Sequence, residues 1–369
     1  MKSIALNGRF SGTPEPTGTQ TVAFQLFDAI LREPGEPGEF EFVVFADDRF
    51  PGVEPWRDLP HVRFIRTPFQ DWSRGRAQLW EQLAAPYLAR RHGCVIMHHP
   101  ITTSPIWQNG LVQMVTLHDL NFYLHPEWYS RSFRMAFALC AIPGLRRSRC
   151  VVTISDYIRG QLSEIIGIPE ERLHRIYNGV KPMRSTASWA GNYLFAAGSL
   201  QPHKNLARLM RAFQAIRGEY PDLELLIAGR PQPHFASDPE MSRLLSSPGV
   251  RLAGYLSEEE LANAYAGARA FCFPSLEEGF GLPILEAMTL GCPVLTSNVS
   301  CMPEIGGPAL LVDPFSVDSI AGGLREILNL TPEQKLHLQE EGRNWAARFS
   351  WKSAAREYMN LYRKLPLIK

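Results

Sequence analysis

Two carboxylates, Glu278 and Glu286, are separated by seven residues in the segment SLEEGFGLPILEAM, residues 275–288. An apolar run precedes the segment and a helical pattern follows, so it reads as strand, loop and helix. Gly279 and Gly281 let the backbone approach a ligand closely, and Pro283 suits a first helical turn. The unpaired N–H groups of such a turn make an anion site. Glu286 falls in or just past that turn. Its carboxylate would oppose an anion unless aimed elsewhere, and a pair of hydroxyls such as a ribose diol fits. Glu278, on the loop, can accept from sugar hydroxyls. The plain alternative is a strand–loop–helix turn with ordinary acidic capping.

Three further groups have suitable chemistry. In GSLQPHKN, residues 198–205, Lys204 falls at the start of a helical pattern, where a cation opposes the macrodipole. A bound diphosphate would account for it, and so would a solvated surface lysine. In LHDL, residues 117–120, His118 directly follows a strand. It is placed to hydrogen-bond a sugar hydroxyl or a reacting oxygen, or is a satisfied histidine at a strand end. The loop GRFSGTPEPTGTQ, residues 8–20, joins the first strand to the first helix, with Gly18 and Thr19 at the helix start.

The elements that must position these groups alternate between short apolar runs and helical patterns, which predicts parallel sheets with crossover helices. Strands are expected at 4–7, 40–46, 62–68, 95–99, 112–117, 151–155 and 174–177, and helices near 19–32, 76–91, 130–145 and 156–166. Residues 181–192 (KPMRSTASWAGN) are polar, small and aperiodic, and read as a linker. The pattern then restarts with strands at 193–197, 223–228, 250–253, 270–274, 293–297 and 309–312. Helices are expected at 204–217, 257–268 and 283–290. The first of these puts Leu206, Leu209, Met210, Phe213 and Ile216 on one face. Ser257/Glu260 and Thr331/Gln334 have capping-box spacing. A last helix is expected over 351–365. Two α/β halves around a linker imply a cleft, and ligands in open α/β sheets bind beyond the carboxyl ends of strands.

The 369 residues suit two domains at about 150 residues each. With 45% apolar and 20% charged residues and a net charge of +1, the chain is not disordered and lacks the broad positive field of a nucleic-acid binder. No apolar run approaches the roughly 20 residues of a membrane span, and the first residues are too poor in apolar side chains for a signal peptide. Six scattered cysteines include no C-x-x-C pair, which predicts buried thiols in a reducing, cytoplasmic setting. Phosphate-loop, serine-elbow and zinc-helix motifs are absent. Gly279-Phe280-Gly281 lacks the third glycine of a dinucleotide fingerprint. No Asp-x-Asp occurs, so a diphosphate would be neutralised by protein groups rather than by a carboxylate-held divalent ion.

Together these residues resemble the large retaining glycosyltransferase family four (group 1) of the GT-B fold. The resemblance covers nearly the whole chain and is strongest over 192–314. It is carried by Glu278-Gly279-Phe280-Gly281-Leu282-Pro283-Ile284-Leu285-Glu286-Ala287-Met288 and Gly291-Cys292-Pro293-Val294. Pro202-His203-Lys204-Asn205-Leu206, Thr153-Ile154-Ser155, Tyr177-Asn178-Gly179-Val180 and Pro303-Glu304-Ile305 support it. Asn7-Gly8-Arg9-Phe10, Thr17-Gly18-Thr19-Gln20 and Leu79-Trp80-Glu81-Gln82 look like the bacterial mannosyltransferase-like branch acting in polysaccharide or O-antigen assembly.

The resemblance implies two Rossmann-like domains. An acceptor-binding domain spans 1–185, a nucleotide-sugar domain spans 190–349, and the tail helix of 350–369 packs back on the first. It implies hexose transfer with retention, by attack on the leaving-group face, to a saccharide or polyprenyl-linked acceptor. The preferred donor is GDP-mannose, with no cofactor and no metal. Lys204, Glu278 and His118 would carry the chemistry. Ser199, His203, Arg230, Tyr255, Gly279, Phe280, Gly281, Leu282 and Glu286 would complete the donor site. Gly18, Thr19, Gln20, His118 and Asp119 would meet the acceptor. Many members carry an arginine where this chain has Ser199, so His203 and Arg230 become candidates for the second cation on the diphosphate. Residues 131–149, with five arginines flanking an apolar stretch, suit either an anionic membrane surface or a core helix with basic ends. A sugar-nucleotide epimerase or a non-catalytic sugar-nucleotide binder is the alternative on the same fold.

Overall fold

The computed structural model describes residues 2–14, 18–33, 35–36, 38–187, 189, 191–198, 201–229 and 241–365. Contacts divide the chain into two units. The first runs to Tyr123, resumes over Arg131–Gly179 and takes back the tail from Ser350. The second holds Leu124–Ser130 and Val180–Phe349. The expected boundaries at 185 and 190 therefore lie a few residues beyond the contact boundary at 179/180.

The first unit is one parallel sheet in the order β3-β2-β1-β4-β5-β6-β7. Its strands are β1 (Lys2–Gly8), β2 (Phe40–Ala46), β3 (Val62–Arg66), β4 (Ile96–His99), β5 (Val112–Leu117), β6 (Cys150–Thr153) and β7 (Leu173–Arg175). β2 and β5 are mostly apolar, with Glu41 in the first and Gln113 and Thr116 in the second, and are buried along nearly their whole length, as sheets covered on both faces require. On one face the helix Gly18–Arg32 contributes Leu26, Phe27 and Ile30 to a core shared with Ile4, Leu6, Phe42 and Val44. The tail helix Trp351–Lys364 adds Ala354, Ala355, Tyr358, Met359 and Tyr362 to the same core. Buried polar bonds fix the tail: Tyr362 Oη pairs with His98 Nδ1 at 2.6 Å, and Tyr358 Oη with Thr116 Oγ1 at 2.9 Å. The helical run from Arg74 to Arg91 contains a wide π turn at Trp80–Ala84.

The second unit is a parallel sheet in the order β10-β9-β8-β11-β12-β13. It is built from β8 (Tyr193–Ala197), β9 (Glu224–Ala228), β10 (Val250–Gly254), β11 (Ala270–Phe273), β12 (Val294–Ser297) and β13 (Leu310–Val312). The amphipathic helix Leu206–Ile216 buries Leu206, Leu209, Met210, Phe213 and Ile216. Both capping boxes are formed, at Ser257/Glu260 and Thr331/Gln334. The expected linker is tied down at its start. Asn263 Oδ1 accepts from Ser185 Oγ and from the N–H groups of Thr186 and Ala187, and Lys181 pairs with Glu258 at 2.6 Å. Five cysteines are buried and Cys140 is partly exposed. Among the described residues no helix is long and apolar enough to cross a membrane.

Candidate active site

In an open α/β sheet the ligand crevice opens where strand order reverses, outside the carboxyl ends of the two strands that flank the reversal. In the second unit those strands are β8 and β11. Lys204 lies on the loop after β8 and Glu278 on the loop after β11, so the topology brings the two sequence motifs together. Their side chains meet: Lys204 Nζ lies 2.6 Å from Glu278 Oε1, and both are mostly buried. The ammonium also sits over the Phe273 ring, 4.8 Å from its centroid. Burial alone would raise the Glu278 carboxyl, but the Lys204 ammonium holds it below the usual carboxylate range.

Lys204 does not begin a helix, as its spacing predicts. It ends a short 3-10 turn, Pro202–Lys204. Asn205 follows in the left-handed region (φ 57°), and the helix starts at Leu206. An asparagine tolerates that conformation better than most residues. Its side chain is also used, because Asn205 Nδ2 donates to the carbonyls of Pro274 (2.9 Å) and Pro314 (2.7 Å). The Leu276 N–H donates to the His203 carbonyl at 2.7 Å. The two loops are thus joined by main-chain, amide and ionic links.

His203 is expected as a second cation. It is buried, and burial, reinforced by the Lys204 charge, lowers its imidazole to about 4. Its ring lies 5.5 Å from that of Trp128, which stacks on His125 at 3.9 Å. Ser199 and the other candidate, Arg230, lie outside the described residues.

The glutamate-rich segment folds as loop and helix. Gly281 is the N-cap of Leu282–Thr289 with φ 88°, a conformation that strains any residue bearing a Cβ. No side chain among the described residues caps the helix. Pro283 has no N–H and the Ile284 N–H donates to the Gly281 carbonyl at 3.0 Å, so within this turn the Leu282 N–H is the group left for an anion. Phe280 packs edge-on against Phe349 and is buried, which leaves its backbone, like that of Gly279 and Leu282, as the part that can face a ligand. Glu286 sits one turn into the helix, partly exposed. Burial pushes its carboxyl up to about 7, with Glu258 adding and the Tyr265 hydroxyl, 3.3 Å away, opposing. Tyr255 follows β10 at the sheet's edge and is 70% exposed.

Two residues that hold this site were not legible in the sequence. Ser300, at φ 59° after β12, accepts from the Glu278 N–H (3.0 Å) and donates to the Glu278 carbonyl (2.8 Å). Tyr265 orients Glu286. Neither belongs to a motif, and each acts from more than twenty positions away in the chain.

The remaining expected residues belong to the first unit. His118 is buried after β5, and its Nε2 lies 2.7 Å from the Pro100 carbonyl. A carbonyl only accepts, so Nε2 carries the proton. Burial keeps the ring neutral, which makes Nδ1 an acceptor. Asp119 Oδ1 accepts from the Asn121 N–H at 3.0 Å. Gly18, Thr19 and Gln20 form the first turn of the helix after the β1 loop.

The family model described as glycosyl transferases group 1 matches residues 187–345, and that described as Glycosyltransferase Family 4 matches residues 18–184. O-antigen chain mannosyltransferase B of Escherichia coli is 29% identical over 276 residues, covering 68% of this chain and 70% of its own. The MMP alpha-(1->4)-mannosyltransferase of Mycolicibacterium hassiacum is 30% identical over 276 residues, covering 73% of this chain and 64% of its own. Among solved structures, sucrose-phosphate synthase from Thermosynechococcus elongatus matches with a TM-score of 0.74 at 19% identity, over 99% of both chains. Anabaena HepE in complex with UDP-glucose matches with a TM-score of 0.71 at 15% identity, over 99% of this chain and 100% of its own. With a family model matching in each half, and the GT-B fold of those structures throughout, this chain belongs to the family 4, group 1 glycosyltransferases.

Proposed function

We propose that the enzyme moves a hexose, mannose from GDP-mannose, to a hydroxyl of a saccharide or lipid-linked saccharide acceptor, with retention at the anomeric carbon and without a divalent ion. The observation that carries this reading is the Lys204–Glu278 pair set beside an uncapped helix N-terminus at the switch point of the second sheet. In this reading the ammonium and the N–H groups around Gly279–Leu282 stabilise the charge that grows on the departing diphosphate. Glu278 orients the hexose through its hydroxyls, Glu286 accepts from the ribose, and the backbone near Tyr255 faces the base. His118, an acceptor at Nδ1, takes a hydroxyl of the transferred sugar. Asp119 and the first turn at Gly18, Thr19 and Gln20 line the acceptor's side.

The mannose assignment draws on the relatives, which are named as an O-antigen chain mannosyltransferase and an MMP alpha-(1->4)-mannosyltransferase. HepE, solved with UDP-glucose, is 15% identical and supports the fold rather than the base. Named relatives that are transferases favour transfer over the epimerase and sensor alternatives. Peripheral contact with the inner face of the cytoplasmic membrane, through the helix Arg131–Arg147, belongs to the same proposal.

Lys204→Ala tests the reading. It removes the cation paired with Glu278, and transfer from GDP-mannose should fall by well over tenfold, a loss of more than about 1.4 kcal/mol, while circular dichroism stays unchanged. Turnover within about twofold of the parent, or abolition of the parent's activity by EDTA, would remove this mechanism.

A further inference from the structure

The first sheet has its own switch point, between β1 and β4. Asn7 lies near the end of β1 and His99 ends β4. Arg9 follows on the β1 loop. None of these residues has a part in the donor chemistry above, yet a dense polar network surrounds them.

Gly8 lies so close to β2 that an added Cβ would collide with the Phe45 carbonyl and the Ala46 side chain. That contact fixes where Arg9 leaves the strand. Asn7 Oδ1 accepts from the Arg9 N–H at 3.1 Å. The guanidinium is gripped at three points: Nε by Glu81 Oε2 (2.8 Å), Nη1 by Gln78 Oε1 (2.9 Å) and Nη2 by Thr103 Oγ1 (2.7 Å). A guanidinium has five N–H donors, so one on each terminal nitrogen stays unclaimed among the described residues.

Glu81 is delivered by the π turn Trp80–Ala84, a distortion common at functional sites. It is 1% exposed, whereas the Arg9 side chain is 22% exposed. Asn7 Nδ2 donates to Glu81 Oε2 (3.0 Å) and to His99 Nδ1 (2.9 Å), so His99 carries its proton on Nε2, toward Gln113 Oε1 at 2.8 Å. Burial keeps that ring neutral. The other oxygen of Glu81, Oε1, is buried with no hydrogen-bond partner among the described residues.

The network has one cation, one anion and a neutral imidazole, so its net charge is zero. Arg9 keeps two unclaimed donors on a side chain that is 22% exposed, whereas Glu81 lies sealed behind it. An anion at those donors is repelled by the carboxylate behind the guanidinium. Hydroxyl groups accept from the same donors without that repulsion. We infer that Arg9 is an acceptor-binding residue that takes adjacent hydroxyls of an uncharged saccharide, and that Glu81 is the positioning residue that aims it and sets the preference for a neutral ligand. The inference rests on the transferase reading only for the word acceptor; the saccharide site stands on the network itself.

The test uses the full chain and two probes, methyl α-mannoside and mannose 6-phosphate, followed by saturation-transfer NMR without donor. The parent should bind the uncharged glycoside in preference to the phosphate. Arg9→Met combined with Glu81→Gln keeps the charge balanced and avoids a lone buried carboxylate. This variant should fold and lose about tenfold in glycoside affinity, the worth of one or two hydrogen bonds to a charged group. Arg9→Lys, which keeps the charge but not the fork, should lose nearly as much. In turnover assays the loss should fall on the acceptor KM, with the donor KM and acceptor-independent hydrolysis of GDP-mannose unchanged. Absence of glycoside binding by the parent, preference for the phosphate, or unchanged affinity in the folded double variant would each overturn the inference. Failure of GDP-mannose to bind at all, with glycoside binding intact and sensitive to Arg9, would count against the donor reading instead.

Discussion

Glu286 carries its proton up to about pH 7 in the free enzyme, yet a ribose diol bonds to the ionised form. With Glu286 in its proposed ribose role, donor binding releases a proton near neutrality. Apparent donor KM should fall about tenfold between pH 6 and pH 8, the change in ionised fraction around such a midpoint. Glu286→Gln should flatten that profile. The same group also bears on stability. Its carboxyl is raised on folding, so the folded state holds the proton longer, and stability is lost as pH climbs from the unfolded value near 4.3 toward 7. Glu286→Gln should accordingly melt above the parent at pH 8 and level with it at pH 4. A donor KM that ignores pH over this range would exclude the ribose role. The position of Glu286 was legible from the seven residues that separate it from Glu278. Its raised carboxyl was not, because the burial that raises it, and the smaller effects of Tyr265 and Glu258, arise only through the fold.

At the scale of elements, the helix Arg131–Arg147 has two characters. Its second half is buried at Ala141, Ile142 and Leu145. Its first half leaves Met135 and Leu139 exposed beside exposed Arg131 and Arg134. The side chain of Gln78 reaches Cys140, so the neighbouring helix, with Leu79 and Leu83 also exposed, extends the apolar surface. Basic residues near an anionic bilayer contribute about 1 kcal/mol each. The protein should co-sediment with phosphatidylglycerol vesicles at low salt, and Leu139→Glu should weaken this severalfold. No sedimentation at low salt would end the proposal. The sequence left a core helix and a surface helix as alternatives here, and each describes half of it. Strands such as β2 and β5 were legible to the residue because both faces are covered and apolar residues dominate each run. The π turn at Trp80–Ala84 was not, since it leaves the outward periodicity of residues 76–91 nearly intact. Nor was the true start of the helix at Leu206, because only the left-handed Asn205 marks it. The pairing of Arg9 with Glu81, 72 positions apart, exists only in three dimensions.

For the whole molecule, the distribution of buried imidazoles gives the two units different acid sensitivity. Burial lowers the titration of His98, His99 and His118 in the first unit, and of His203 in the second. Below about pH 6.5 the unfolded chain binds protons that these rings refuse when folded, so stability falls as pH falls. Each blocked ring costs up to about 1.4 kcal/mol per pH unit. Glu286 acts in the opposite direction within the second unit. Calorimetry from pH 7 to 5.5 should show the first unit's transition dropping further. The nucleotide identifies the other transition by raising it. Equal displacement of both would contradict this account.

The tail helix has a consequence for how the protein is made. Tyr358 and Tyr362 close on Thr116 and His98, strands finished more than two hundred residues earlier. During translation the early half emerges with this apolar face unroofed and waits until the ribosome has passed residue 364. At about 5–20 residues per second that delay lasts on the order of ten seconds or more. A nascent chain in that condition is a natural client for a holding chaperone, and a chain cut before Trp351 would keep a sound second unit and leave the first without its roof.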